Sequence, residues 1–207
     1  MKTKLLLTTV VSTLVALGTP AVSAVGPAVA TPNKAIQTDR GFTAVTLDAN
    51  LIPTLGSLGV TLSPLAPTTL FNASQGTASF PIVSGIFDPN STTGEIGHSG
   101  GLILSGGGTQ LAVSSFLIDL PSSGSPVITG LATLNGALVG RIPLFDLGLS
   151  GVSISYKGSK VTIAGVDLTL NADAAATLNT IFGTSAFAGG LPIGTGEVAS
   201  YYDKIQK

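Results

Sequence analysis

Residues that could do acid–base or nucleophilic chemistry are scarce in this chain, which has one histidine, His98, and no cysteine. A nucleophile–base pair would have to use His98, whose neighbour in the chain is Ser99. Both belong to one extended segment, and successive side chains of a strand point to opposite faces. The adjacent pair therefore cannot act as a nucleophile and its base. Residues 97–101 (Gly-His-Ser-Gly-Gly) fit the G-x-S-x-G spacing, but they lie within a predicted strand and not at the strand-to-helix turn that this nucleophile motif requires.

Four aspartates are candidates for carboxylate chemistry by residue type alone. A glycosidase needs two carboxylates that face each other across a cleft, whereas these acids are scattered singly along the chain. Structural roles, such as an acid in the first turn of a helix, account for each of them more simply. The four are Asp119, Asp146, Asp167 and Asp173. The sequence therefore predicts a protein that is not an enzyme, with enzymatic activity as the third hypothesis.

No metal site is predicted. Asp88 and Asn90, followed by Glu95, offer oxygen ligands in a turn. The segment lacks the alternating Asp/Asn ladder and the glycine of a dedicated calcium loop. A single histidine without cysteine argues against zinc.

His98 is the one residue predicted to contact a ligand. In the predicted strand 95–104, period-2 alternation places Ile96, His98 and Leu102 on the same apolar face. Glycines next to His98 leave room for another group to approach closely. Two interpretations remain open: a buried imidazole hydrogen-bonded to the backbone or to serine, or a pocket residue that touches a ligand.

The elements that would position His98 are β-strands. Between residues 41 and 202, short apolar segments alternate with turns rich in Gly, Pro and Ser. Asn135-Gly136 between two apolar runs is the strongest hairpin signal, and Lys157 to Lys160 predicts a second hairpin. The predicted strands include 77–87, 95–104, 110–120, 127–134, 137–147, 152–156 and 161–163. These patterns indicate a sandwich or a barrel, and we predict an all-β fold: one antiparallel β-sandwich of roughly eight to ten strands with two short helices.

The two predicted helices follow similar sequences. Residues 46–49 (Thr-Leu-Asp-Ala) match residues 169–172 (Thr-Leu-Asn-Ala), and each match is followed by a Thr-Leu pair at the same spacing. Asn171 is predicted to cap the second helix, and Gly183 is predicted to end it. Because Pro53 is tolerated only in an opening turn, the first helix is predicted to begin near Asn50. Two explanations of this similarity remain open: an ancient duplication, or the independent use of the same strand-to-helix connection.

The first residues predict export from the cell. Lys2 and Lys4 precede the apolar run 5–17, and small residues follow up to Ala24, which is the pattern of a secretory signal peptide. A membrane span would need ~20 consecutive apolar residues. We predict a signal peptide at 1–24, a flexible segment at 25–40, one domain at 41–202 and a C-terminal tail at 203–207. The predicted location is secreted, extracellular or cell-wall associated.

Charge limits the partners. Charged residues make up 9% of the chain, against the ~25% of ordinary soluble domains. Of the 9 basic residues, removal of Lys2 and Lys4 leaves 7 against 10 acidic ones, a net charge of −3. This balance argues against nucleic acid and anionic membranes as partners. No other window reaches the length of a span without Gly, Pro or charge, so no membrane insertion is predicted after signal cleavage. The predicted partner is a small apolar ligand or a component of the cell envelope.

A further prediction comes from the order of motifs. A Gly-x-x-x-His-x-Gly-Gly strand, residues 94–101, precedes several strands. The stretch 168–176 follows, then Gly189-Gly190 and a turn at 194–197. This layout resembles the HtaA-type domain of secreted and surface haem-acquisition proteins of Gram-positive bacteria. The resemblance implies a β-sandwich with one or two short helices, and haem as the candidate cofactor.

The resemblance also implies an iron site. In that family a tyrosine upstream of the histidine ligates the iron, and the histidine supports it. Here no tyrosine precedes Tyr156, so ligation would need His98 itself, or Tyr201 or Tyr202 as a substitute. Of the family's site residues, the resemblance therefore assigns only His98 in this sequence. The predicted function is a secreted, non-enzymatic, HtaA-like module that binds a ligand or surface partner. Haem is the specific ligand that the resemblance implies. The alternative is a structural or adhesive protein of the cell envelope or extracellular matrix.

Overall fold

The computed structural model describes residues 35–70 and 76–202, and they form thirteen strands and two helices. Every strand pairing is antiparallel. The strands are β1 Ile36–Thr38, β2 Arg40–Leu47, β3 Thr61–Leu65, β4 Thr69–Leu70, β5 Thr77–Asp88, β6 Thr93–His98, β7 Gly101–Gly106, β8 Thr109–Leu120, β9 Val127–Leu134, β10 Ala137–Gly148, β11 Ser153–Lys157, β12 Lys160–Leu170 and β13 Pro192–Tyr201. The helices are α1 Leu51–Ser57 and α2 Ala172–Phe182. In the described ranges, no helix is long and apolar enough to cross a membrane.

The strands form one sheet that closes on itself. β6 pairs with β5 on one side and with β8 on the other, which completes a barrel of eight strands in the order β5, β2, β13, β12, β10, β9, β8, β6. The prediction of an antiparallel β fold with two short helices is confirmed. The prediction of two separate packed sheets is refined, because the sheet is continuous around the core. Inward and outward residues alternate in the same way in both architectures, so periodicity cannot separate them.

Local signals for turns and helices are confirmed. Asn135 (φ 48°) and Gly136 (φ 84°) both have positive φ in the turn between β9 and β10. Asn171 caps α2 by accepting a hydrogen bond from the Asp173 N–H at 3.0 Å, and Gly183 ends that helix in the left-handed conformation. α1 begins one residue after Asn50, so its proline falls in the first turn.

The predicted strand 95–104 is two strands, β6 and β7, separated by Ser99 and Gly100. Gly100 has a φ of 83°, and a Cβ atom there would lie 2.3 Å from the Thr68 hydroxyl oxygen. That oxygen accepts a hydrogen bond from the Gly101 N–H at 2.9 Å. The backbone therefore turns around a buried threonine between the two strands. His98, the last residue of β6, still points into the barrel with Ile96.

The segment predicted to be flexible, 25–40, is ordered where the structure describes it. Ile36 is 3% exposed, and β1 pairs with the end of β5. The Thr38 hydroxyl donates to the carbonyl of Tyr201 at 2.7 Å and accepts from the hydroxyl of Ser200 at 2.5 Å. For residues 36–40 the prediction is corrected, because burial of one large apolar side chain and these hydrogen bonds order the chain. The signal peptide and the tail 203–207 lie outside the described residues.

Replacement of Gly94, in the strand that closes the barrel, is expected to destabilise the protein strongly. Gly94 has a φ of 142°, and a Cβ atom there would lie 2.1 Å from the carbonyl oxygen of Ile86. We expect Gly94→Ala to lower the free energy of unfolding by about 3 kcal/mol or more, from overpacking and backbone strain together. Urea unfolding followed by circular dichroism measures this change.

Gly140 is the matched control, because its φ is 138° and a Cβ atom there would have no neighbouring atom within 4 Å. Gly140→Ala should lower the free energy of unfolding by about 1–2 kcal/mol, from backbone strain alone. Equal losses in the two variants would show that the close approach of β6 to β5 is not what requires Gly94.

Candidate functional site

Three cavities follow one another inside the barrel. The central cavity, about 40 Å³, lies beside His98. The helix-side cavity, about 80 Å³, is closed by side chains of α1 and α2. The end cavity, about 230 Å³, lies on the opposite side of the central one. The central cavity shares wall residues with both others, so the three form a series through the core.

The His98 side chain is held inside the barrel by two hydrogen bonds, and it is 4% exposed. Its Nε2 lies 2.6 Å from the Thr43 hydroxyl, and its Nδ1 lies 3.3 Å from the carbonyl oxygen of Phe116. Because a carbonyl oxygen only accepts, Nδ1 carries the proton and Nε2 accepts from Thr43. The imidazole is therefore a neutral bridge between strands β2, β6 and β8.

Burial keeps this imidazole neutral. It lowers the pKa of His98 to about 4, while the carbonyl oxygens of Phe116 and Ile96 act in the opposite direction. Beside the imidazole, Phe80 and Phe116 meet edge to face with ring centroids 5.0 Å apart. Both rings line the central cavity. His98 is thus a buried, hydrogen-bonded imidazole that also lines the central cavity, and its contact with a ligand stays a prediction.

The end cavity is the largest of these three cavities, and its wall is mostly apolar. Thr43 lines both this cavity and the central one, and Thr92 is the other hydroxyl residue of the wall. β11 supplies Ile154 to this wall, and Val152, the residue just before that strand, also lines it. Among the described strands, β11 pairs with β12 alone, so its other edge is free. The strict alternation of residues 152–156 in the sequence predicted the strand that supplies this part of the wall.

The four aspartates do not converge on these cavities. None of them lines the central, helix-side or end cavity. Asp146 accepts a hydrogen bond from the Asn171 side-chain amide at 2.8 Å, and Asp173 lies in the first turn of α2. These two acids therefore support the helix.

The oxygen-rich turn after β5 is a hydrogen-bonded turn. The Asp88 carboxylate accepts from the backbone N–H of Asn90 at 2.9 Å, and this bond is the main reason that the pKa of Asp88 is lowered. Across residues 35–70 and 76–202, no group of three or more His, Cys, Asp or Glu side chains could hold a metal ion.

None of the three tyrosines lines the central cavity beside His98. Tyr201 is 43% exposed at the end of β13, and the Tyr202 hydroxyl donates to the carbonyl of Gly158 at 3.2 Å. Tyr156 lies on β11. The upstream hydroxyl in contact with His98 belongs instead to Thr43.

The closed antiparallel barrel with two short helices defines the class of fold, and solved structures are similar to it. The C-terminal domain of HtaA from Corynebacterium glutamicum superposes with a TM-score of 0.60 at 13% identity, covering 81% of this chain and 99% of that chain. Heme binding protein HtaB from the same organism gives a TM-score of 0.51 at 8% identity, covering 82% and 96%. No family model and no curated protein sequence matches the chain. The predicted resemblance to the HtaA-type domain is confirmed at the level of the fold.

Acidification is expected to destabilise the protein through His98. The folded state holds this imidazole neutral down to a pKa of about 4, whereas the unfolded chain protonates it near 6.5. Stability from this group is complete above pH 6.5 and is lost as the pH falls toward 4. We expect the free energy of unfolding to fall by about 2–3 kcal/mol between pH 7 and pH 4.5 from this group. Urea titrations at the two pH values measure it.

His98→Gln provides the control, since glutamine keeps polar atoms at the site but does not titrate. Its stability at pH 7 should be lower, and the loss between pH 7 and pH 4.5 should largely disappear. A variant that keeps the full pH dependence would assign the effect to other groups.

Proposed function

We propose that this domain is a non-enzymatic binding module that holds a small, largely apolar ligand inside its barrel. The observation that carries the proposal is the end cavity, about 230 Å³ with a mostly apolar wall. Folded interiors are close-packed and contain few voids larger than a water molecule. An apolar cavity of even ~150 Å³ stays dry and takes up benzene. A space of this size in a small domain is therefore best explained as room for a ligand.

His98 and Thr43 form the polar inner boundary of the proposed site. Thr43 lines both the central and the end cavity, and its hydroxyl donates to His98. The hydroxyl oxygen keeps acceptor capacity when its hydrogen is committed to the imidazole. In this proposal His98 contributes by lining the central cavity and by fixing the direction of that hydroxyl.

Haem is the second candidate, and the shared fold with a protein described as heme binding supports it. The residues around His98 do not fit haem in the observed arrangement. The central cavity is about 40 Å³, both imidazole nitrogens are engaged, and no tyrosine lines that cavity. Even the end cavity lies below the ~300 Å³ at which pockets for drug-sized ligands begin. Thr43, the upstream partner, is an aliphatic alcohol, which does not ionise as a phenol does.

A haemin titration of the purified protein separates the two candidates. For an apolar ligand other than haem, we expect no saturable Soret shift that depends on His98. Absorbance is followed for the wild type, His98→Ala and His98→Gln, with circular dichroism to verify that each variant is folded. A saturable shift that both substitutions weaken would establish haem as the ligand.

We place the proposed activity outside the cell, secreted or associated with the cell wall. The basic, apolar and small-residue pattern of residues 1–24 supports this location. The alternative of a structural or adhesive envelope protein gives the interior cavity no role.

Binding of butylbenzene tests the main proposal. We expect saturable shifts of methyl signals in nuclear magnetic resonance spectra, concentrated on the wall of the end cavity. Ile154→Phe fills that cavity and should weaken binding at least about tenfold, which is the equivalent of 1.4 kcal/mol. The matched control, Ile142→Phe, fills the helix-side cavity and should change affinity less than about twofold. Absence of binding to the wild type, or equal effects of the two variants, would contradict the proposal.

A further inference from the structure

The Tyr156 hydroxyl is the one buried side-chain nitrogen or oxygen without a hydrogen-bond partner in the described part of the chain. Leaving such a group unpaired costs about 1–3 kcal/mol. Native structures contain few of these groups, and each calls for a physical explanation. The ring itself is half-buried and packs against the core.

Tyr156 continues the wall of the end cavity. Val152 and Ile154 line that cavity, and Tyr156 is the next residue on the same face of β11. Two residues of a strand span about 7 Å, so its ring lies one step beyond the lining. Tyr156 on β11 lies opposite Val161 on β12, and Val161 lies opposite Ser200 on β13. Val161 and Ser200 are both buried, so this row of residues faces the interior. The hydroxyl therefore belongs to the same end of the barrel as the cavity.

The surroundings of the hydroxyl decide which group it would bind. Burial is the main cause that raises the pKa of Tyr156, and Tyr202 and Asp88 add to it. The phenol is therefore protonated at neutral pH and can donate a hydrogen bond. The same Asp88 carboxylate disfavours a second negative charge nearby. A neutral acceptor is thus preferred over a carboxylate.

We propose that the Tyr156 hydroxyl is the polar anchor of the end cavity and donates a hydrogen bond to a neutral carbonyl or hydroxyl group of the ligand. The inference rests on the proposed function and narrows the ligand class to neutral molecules with one polar end and an apolar body. Since a cavity of ~150 Å³ takes benzene, one of about 230 Å³ takes roughly eight to twelve heavy atoms.

Three probes with the same phenylalkyl body test this assignment: butylbenzene, 4-phenylbutan-2-one, which carries a neutral ketone, and 3-phenylpropanoate, which carries a carboxylate. Affinities are measured by nuclear magnetic resonance titration for the wild type and Tyr156→Phe. We expect the substitution to weaken ketone binding about fivefold, as for the loss of one hydrogen bond, and to change butylbenzene binding less than about twofold. The carboxylate should bind the wild type more weakly than the ketone.

Tyr202→Phe is the matched control, because it removes a hydroxyl that already has a partner in Gly158. It should leave the affinity for the ketone unchanged. Thermal unfolding without ligand should show that Tyr156→Phe is at least as stable as the wild type, since it removes an unpaired buried group.

The outcomes separate this inference from the proposed function. If butylbenzene binds the wild type but Tyr156→Phe leaves ketone binding unchanged, the anchor is overturned and the binding module stands. If none of the three probes binds the wild type, the proposed function fails and the anchor fails with it.

Discussion

A closed barrel of eight strands encloses a volume that its own side chains have to fill. Eight strands give an interior just wide enough for side chains to do so. This chain has few large side chains for that purpose: aromatic residues make up 5% of it, with 8 Phe, 3 Tyr and no Trp. Where Phe80 and Phe116 meet, the remaining space is about 40 Å³. Where Val, Ile and Leu form most of the wall, about 230 Å³ remains. The distribution of aromatic residues along the barrel thus decides where space is left.

Polar groups inside such a barrel must satisfy one another, and this constraint gives the core its specificity. His98, Thr43 and the carbonyl of Phe116 form one chain of hydrogen bonds across three strands. Near β1, the hydroxyls of Thr38 and Ser200 pair with each other and with backbone carbonyls. Removal of one partner leaves another buried polar group unpaired, so these bonds also discriminate between registers of the strands. The histidine is best understood as part of this network and, through Thr43, of the cavity wall.

Local features of the fold were predictable because they depend on neighbouring residues. The Asn135-Gly136 turn, the Asn171 cap and the inward direction of His98 all follow from short patterns. Features that depend on distant residues were not predictable. Thr43, the partner of His98, is 55 residues away in the sequence. Thr68, whose hydroxyl lies where the strand is interrupted at Gly100, is 33 residues away from its hydrogen-bond partner Gly101. Closure of the sheet and the size of the cavities likewise depend on how all strands come together, which alternation alone does not report.

The position of β11 outside the closed ring has a kinetic consequence. Its backbone is held by β12 alone, whereas each strand of the ring is held on both sides. Transient separation of β11 from β12 would leave the eight-strand ring intact while moving Ile154 out of the wall. Exchange of an occupant would then be governed by a local opening of a few hydrogen bonds, with a lifetime independent of the stability of the whole domain. A very stable barrel can in this way still release its contents quickly.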